Sequence, residues 1–112
     1  MNNSVFHDLL LVSDIDGTLT ELSKVPQKNL DAIAHFQQLG GTFTLCTGRP
    51  KCALGEILPQ IQVNAPIITI NGGYIYSPTT GEVLFEAQLP LHVKEFVFSL
   101  LESVVPAIRA FW

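Results

Sequence analysis

Residues 9–20 read Leu-Leu-Leu-Val-Ser-Asp-Ile-Asp-Gly-Thr-Leu-Thr, and this stretch decides the fold. A short apolar run ends in two aspartates, Asp14 and Asp16, with a single isoleucine between them. An apolar run bounded by a turn signal is typical of a buried strand, which we place at residues 8–13. The aspartates then lie just past its carboxyl end, the edge of an open α/β sheet where ligands bind.

The two carboxylates predict a metal-dependent site. Side chains alternate along an extended chain, so Asp14 and Asp16 should point the same way. Carboxylates this close repel each other, and both ionise readily only beside a cation. Mg²⁺ prefers oxygen ligands and usually takes one or two carboxylates, so we predict that Asp14 and Asp16 hold Mg²⁺. A carboxylate can also act as a nucleophile and form an aspartyl-phosphate.

Composition narrows the class of protein. The chain has 112 residues, 47% hydrophobic and 14% charged, which is typical of one small folded domain. A net charge of −4 without a basic cluster argues against nucleic acid or an anionic membrane as partner. The first apolar run is too short for a signal peptide or a membrane span, so we expect a cytoplasmic protein. Its two cysteines, Cys46 and Cys52, are expected to be reduced thiols.

The rest of the chain alternates strand and helix patterns. We predict helices over residues 27–39, 50–58 and 90–104, strands over 42–46 and 67–70, and a hairpin of residues 74–76 with 82–85. Strand, helix, strand, helix predicts parallel strands joined by right-handed crossovers. The loops after these strands should therefore meet at one edge of the sheet. At that edge the Thr47 hydroxyl and the N–H groups near Gly48 would form an anion site within reach of Asp14.

Two motifs resemble a known family. Asp14-Ile15-Asp16-Gly17-Thr18-Leu19 resembles the first motif of the haloacid dehalogenase superfamily of phosphohydrolases. Thr47-Gly48-Arg49-Pro50 resembles its second motif, in the form found in the Cof-type sugar-phosphate phosphatase branch. The resemblance implies a three-layer, Rossmann-like α/β core with a parallel sheet and flanking helices, to which a β-hairpin and the start of a cap are added.

The resemblance also implies roles for individual residues. Asp14 would attack phosphorus, Asp16 would serve as general acid and base, and Thr47 would hold a phosphoryl oxygen. Arg49 would either face the substrate or pair with a surface acid. Asn71-Gly72 is similar to a loop at the family's active-site edge, where a substrate-side role and a plain tight turn are equally open. The predicted phosphate-binding or substrate-binding residues are Gly17, Thr18, Thr47, Gly48, Arg49, Asn71 and Gly72.

Half of the family's site is missing from the sequence. The third motif supplies a lysine or arginine and the fourth supplies further acids, but after Gly73 there is no aspartate, and Lys94 is the only lysine. We therefore expect the amino-terminal portion of such a protein. Residues 1–89 would form the core with its hairpin, and residues 90–112 the start of a cap or a C-terminal helix.

Three functional hypotheses follow. The first is a Mg²⁺-dependent phosphatase that hydrolyses a small phosphorylated metabolite, expected to be a sugar phosphate, through an aspartyl-phosphate. The second is a non-catalytic, truncated module that folds or forms a homo-oligomer through an exposed sheet edge or the last helix. A phosphomutase is a lesser alternative, because its first two motifs would look alike.

Overall fold

The computed structural model describes residues 4–104. Its elements, in chain order, are β1 (Leu10–Ser13), α1 (Gln27–Gln38), β2 (Thr42–Leu45), β3 (Ile67–Thr69), β4 (Tyr74–Tyr76), β5 (Val83–Glu86) and α2 (Leu91–Val104). Short 3₁₀ turns lie at Lys51–Ala53, Leu58–Gln60 and Ile70–Gly72. The α/β class predicted from the sequence is confirmed. The end of the predicted last segment, residues 105–112, lies outside the described residues.

β1 and β2 form the parallel pair that the sequence predicts. Leu10 lies opposite Thr42 and Ser13 lies opposite Leu45, with α1 as the crossover between the two strands. The pairing continues past the strand ends, because the Cys46 N–H donates to the Ser13 carbonyl at 2.9 Å. The loops that follow β1 and β2 therefore leave the same edge of the sheet.

β3 belongs mainly to a second, antiparallel sheet. It pairs with β4, and β4 pairs with β5, so the predicted hairpin is confirmed. One parallel bridge between Cys46 and Ile68 joins the two sheets, and the Thr47 N–H donates to the Ile68 carbonyl at 3.0 Å. This bridge places the loop after β3 directly beside the loop after β2.

The hydrophobic core lies between α1, β2, β3, β4 and the loops that connect them. Its buried apolar side chains are Ile15, Leu19, Val25, Ile33, Phe43, Leu45, Leu54, Ile57, Ile61, Ile67 and Tyr76. After α1 the chain turns at Gly40, whose φ of +92° suits glycine. The next glycine has a different role, since a Cβ at Gly41 would collide with the ring of Phe36.

The prediction that β1 is buried is wrong. Its side chains Leu10, Leu11 and Val12 are 40 to 62% exposed. Among residues 4–104 only β2 pairs with β1, and α1 packs on β2. One edge of β1 is therefore open, and its apolar side chains are left without a cover.

The predicted helix over residues 50–58 is also wrong. The segment forms two 3₁₀ turns with i to i+3 bonds, such as the Ala53 N–H to the Pro50 carbonyl at 2.9 Å. Gly55 interrupts any longer helix, and Pro59 lacks the N–H that a continued helix needs. Leu54 and Ile57 are nevertheless buried, so the segment still covers the core.

α2 stands apart from the core. Its apolar side chains Phe96, Val97 and Leu100 are exposed. Neither helix of the described chain is long and apolar enough to span a membrane. Both cysteines are free thiols, as predicted.

Candidate active site

The loop after β1 is anchored to the core while its polar side chains face outward. Ile15 is fully buried, whereas its neighbours Asp14 and Asp16 are exposed. The Ile15 carbonyl accepts hydrogen bonds from the N–H groups of Leu19 at 2.9 Å and Thr20 at 3.1 Å. Gly17 has a φ of +74°, so a residue with a side chain would be strained in this tight turn. The loop therefore holds both aspartates on the surface beside the sheet edge.

Asp14 has a fixed carboxylate. Its Oδ1 accepts the N–H of Ile15 at 2.7 Å, so the side chain is oriented by its own loop. The second carboxylate oxygen remains for a ligand or a reacting group, and the side chain is exposed. A carboxylate that is both oriented and accessible suits a nucleophile.

Thr47 is buried at the base of the second loop. Its Oγ1 accepts the N–H of Arg49 at 3.1 Å, and its carbonyl accepts the N–H of Asn71 at 3.1 Å. The Arg49 carbonyl in turn accepts the N–H of Ile70 at 3.2 Å. The second and third loops are therefore tied together through their main chains, next to Asp14 and Asp16.

The third loop is strained. Ile70 and Asn71 both have a φ of +51°, in the left-handed region. Asparagine tolerates this region, but a β-branched isoleucine rarely adopts it, at a cost of about 1–3 kcal/mol. Such strain is held only where surrounding contacts enforce it, and it often occurs at functional sites. The tight-turn interpretation of Asn71-Gly72 therefore describes their backbone, although it leaves a role for the Asn71 side chain open.

Arg49 pairs with Asp16. Nε donates to Oδ2 at 2.8 Å, and Nη2 donates to Oδ1. The hydrogen bond from Arg49 is the main cause that lowers the pKa of the Asp16 carboxyl, and the same bond raises the pKa of Arg49. The sequence left open whether Arg49 faces the substrate or pairs with a surface acid. In the structure it pairs with an acid, Asp16, which is the second aspartate of the first motif.

Few side chains at this edge could act as ligands of Mg²⁺. Within the described chain, no three histidine, cysteine, aspartate or glutamate side chains lie close enough together to hold a metal ion. Asp14 offers a carboxylate, while both carboxylate oxygens of Asp16 are engaged by Arg49. Mg²⁺ often binds through one or two carboxylates and keeps several waters, so these residues fit a weakly held ion.

A cavity of about 590 Å³ adjoins the second and third loops. The residues that line it include Lys51, Cys52, Ile70, Gln88 and Lys94. The sequence did not predict a role for Lys51 or Lys94 at this site. The position of Lys51 could have indicated its place at the site, because it directly follows the second motif and comes two residues after Arg49.

The structure thus brings the three predicted loops to one edge. Asp14, Asp16, Gly17 and Thr18 lie on the first loop, Thr47, Gly48 and Arg49 on the second, and Asn71 and Gly72 on the third. The substrate-binding role of Gly17, Thr18 and Gly72 stays a prediction. The sequence analysis missed the link between Arg49 and Ala53, whose carbonyl accepts from Nη1 at 3.1 Å.

Comparison with known proteins gives consistent matches. Residues 11–108 match the family of haloacid dehalogenase-like hydrolases. The HMP-PP phosphatase of Escherichia coli O157:H7 is 35% identical over 89 residues, covering 79% of this chain and 32% of that protein.

Two solved structures have the same fold. A HAD/COF-like hydrolase from Plasmodium vivax is 30% identical with a TM-score of 0.68, over 91% of this chain and 39% of that one. A sugar phosphatase of HAD subclass IIB is 26% identical with a TM-score of 0.67, over 86% of this chain and 38% of that one. The chain spans about a third of the length of the curated relatives that it matches.

Proposed function

Because the chain belongs to the haloacid dehalogenase-like hydrolase family, we propose that it carries the nucleophile's half of a phosphatase site for a small phosphorylated metabolite. The observation that carries the proposal is the meeting of Asp14, Asp16 and Thr47 at one sheet edge, where Asp14 is oriented by the Ile15 N–H and exposed. These 112 residues span about a third of the length of the relatives that they match.

The proposed reaction has two steps at phosphorus. In the first, the free carboxylate oxygen of Asp14 bonds to phosphorus as the ester P–O bond breaks, and Asp16 gives a proton to the leaving oxygen. In the second, Asp16 takes a proton from water, and the water oxygen displaces the Asp14 carboxylate to release inorganic phosphate. Arg49 lowers the pKa of the Asp16 carboxyl and so favours the ionised form that accepts this proton, whereas it disfavours the protonated form that the first step uses.

Thr47 and the loop amides would hold a phosphoryl oxygen, in the manner of an anion site built from main-chain N–H groups. Mg²⁺, held by the Asp14 carboxylate and the main-chain carbonyl of Asp16, would offset the repulsion between the phosphate and the two carboxylates. The metabolite's organic part would occupy the cavity beside Lys51 and Lys94. We propose a sugar phosphate as substrate class, on the form of the second motif and on the likeness to a subclass IIB sugar phosphatase. A cytoplasmic location and a boundary near residue 89, just before α2, also stay proposals.

The test is hydrolysis of p-nitrophenyl phosphate by the chain, with Mg²⁺ and with EDTA. Asp14→Asn should abolish turnover, whereas Asp31→Asn, an exposed carboxylate on α1, should not change it. Full turnover in Asp14→Asn would contradict the nucleophile assignment. Turnover that requires both Mg²⁺ and Asp14 would support the proposal and would mean that the missing charges are supplied between chains or are not essential.

A second candidate, a non-catalytic module that self-associates, is favoured by one specific observation. Among residues 4–104, β1 has an open edge with exposed apolar side chains, and α2 exposes Phe96 and Leu100. Open edges and apolar patches of this kind promote association. A folded chain without turnover, which sediments as an oligomer and becomes monomeric in Leu11→Lys, would select this candidate. A folded, inactive monomer would reject it.

A further inference from the structure

We infer that Arg49 is a positioning residue that aims the Asp16 carboxylate, and that it is not a ligand of the substrate's phosphate. The inference rests on the proposed function for the role of Asp16. Its evidence is the two-point contact between these side chains together with the separate anchors that hold Arg49 in place.

The contact between the two side chains defines an orientation. A guanidinium presents N–H donors in a rigid planar fork, and two parallel bonds to one carboxylate fix both its position and its plane. Nε and Nη2 of Arg49 form such a pair with Oδ2 and Oδ1 of Asp16. A lysine that makes a single hydrogen bond could neutralise the charge of the carboxylate but could not fix its plane.

Arg49 is itself held from three directions. Its N–H donates to Thr47 Oγ1 at 3.1 Å, its carbonyl accepts from the Ile70 N–H at 3.2 Å, and Nη1 donates to the Ala53 carbonyl at 3.1 Å. The Arg49 side chain is 29% exposed, against 56% for Asp16. Arg49 is thus the better anchored partner, and it determines where the Asp16 carboxylate lies.

The arrangement of charges at this edge also favours a positioning role for Arg49. Asp14 and Asp16 would repel each other and an incoming phosphate. Arg49 cancels one of these charges from the side of Asp16, where its fork is already engaged. Asp16 and the Ala53 carbonyl take three of the five guanidinium N–H donors, so a two-point contact of the same edge with a phosphate would require Arg49 to leave Asp16 and would restore the repulsion between the two aspartates.

The first experiment needs no turnover. NMR three-bond couplings about χ1 of Asp16 should show one rotamer in the wild-type chain and rotamer averaging in Arg49→Ala. Arg49→Lys should restore the fixed rotamer only in part, and Lys28→Ala, on the exposed face of α1, should not change it. Unchanged Asp16 couplings in Arg49→Ala would overturn the inference. If Arg49→Ala does not fold, Asp16→Asn replaces it, and the Arg49 Nε–H should then exchange faster with water.

The second experiment separates positioning from ligand binding. Titration with inorganic phosphate should give an affinity for Arg49→Ala within about twofold of wild type, whereas loss of a direct charged ligand should weaken binding by about tenfold or more. That larger loss would overturn the inference. Where turnover is present, Arg49→Ala should lower kcat by about tenfold or more and change KM little. Full turnover in Asp14→Asn together with a fixed Asp16 rotamer would reject the proposed function and leave the positioning role intact.

Discussion

The carboxamide of Asn71 occupies the space where a side chain at Gly48 would begin. A Cβ built on Gly48 would lie 3.1 Å from Asn71 Oδ1 and 3.4 Å from Nδ2. The second and third loops therefore approach each other closely at a residue that has no side chain, and a Cβ at this position would require the Asn71 carboxamide to shift by a few tenths of an ångström.

Gly48→Ala tests that relationship. We expect the new methyl group to shift the Asn71 carboxamide by a few tenths of an ångström and to weaken binding of inorganic phosphate by about 0.5–1.5 kcal/mol, the usual net worth of one hydrogen bond. Isothermal titration calorimetry measures the change. Gly55→Ala is the matched control, because a Cβ there meets no atom within 4 Å. Equal phosphate affinity in the two variants would mean that Asn71 does not contribute at this edge.

Tyr76 buries a hydroxyl that lacks a hydrogen-bond partner among the described residues. An unsatisfied buried polar group costs about 1–3 kcal/mol, so Tyr76→Phe should raise the free energy of unfolding by about 1 kcal/mol. Urea denaturation measures this change. Tyr74→Phe, on the same strand but only half-buried, should leave stability nearly unchanged. A destabilised Tyr76→Phe would indicate that the hydroxyl has a partner in solution.

The same tyrosine predicts a pH dependence. Burial, and to a lesser degree Tyr74, raise the pKa of Tyr76 above the ordinary tyrosine value of 10.0. The folded chain thus keeps this proton to a higher pH than the unfolded chain does. Its contribution to stability is complete below pH 10 and falls as the pH rises above that value. Denaturation between pH 8 and about pH 11 should show this fall in wild type and a smaller fall in Tyr76→Phe. Parallel curves would contradict the raised pKa.

The tight turn at residues 21–24 contains residues that rarely adopt its backbone conformation. Leu22 and Ser23 have φ values of +49° and +67°, between reciprocal bonds that join Glu21 and Lys24 at 2.8 and 3.0 Å. Turns with two positive φ values prefer Asn-Gly. The double variant Leu22→Asn, Ser23→Gly should therefore raise the unfolding free energy by about 1 kcal/mol or more. Thermal denaturation measures it, with Leu89→Asn as the control for removing an exposed leucine. A lower melting temperature would mean that this turn does not form in solution.

Asn64 closes the edge of β2 that faces away from β1. Its N–H donates to the Phe43 carbonyl at 3.0 Å, its Oδ1 accepts the Phe43 N–H at 2.6 Å, and its Nδ2 donates to the Gly41 carbonyl at 3.2 Å. Asn64→Ala should lower the unfolding free energy by about 1–3 kcal/mol, because it leaves a main-chain N–H of a core strand unpaired. Gln62→Ala, an exposed neighbour, should change stability by less than about 0.5 kcal/mol. Similar losses in both variants would argue against this bridging role.

The sequence by itself determined the family, the strand ends and the parallel pairing of β1 with β2. These features depend on local patterns, since an apolar run that stops at a turn signal marks both a strand and the loop that follows it. The positions of Asp14, Asp16 and Thr47 at one edge followed from the rule for parallel crossovers. The match of residues 11–108 to haloacid dehalogenase-like hydrolases confirms the resemblance seen in two short motifs.

Only the tertiary structure decided the exposure of β1, the loss of the helix after Pro50, the strain at Ile70 and the partner of Arg49. Each depends on contacts between distant parts of the chain. Arg49 and Asp16 are 33 residues apart, and the sequence offered several other surface acids to the same guanidinium. Burial of β1 depends on which other elements cover its open edge and its faces. The apolar character of its own residues does not indicate whether such elements are present. Local pattern thus specified which residues stand at the site, and long-range packing determined which of them touch.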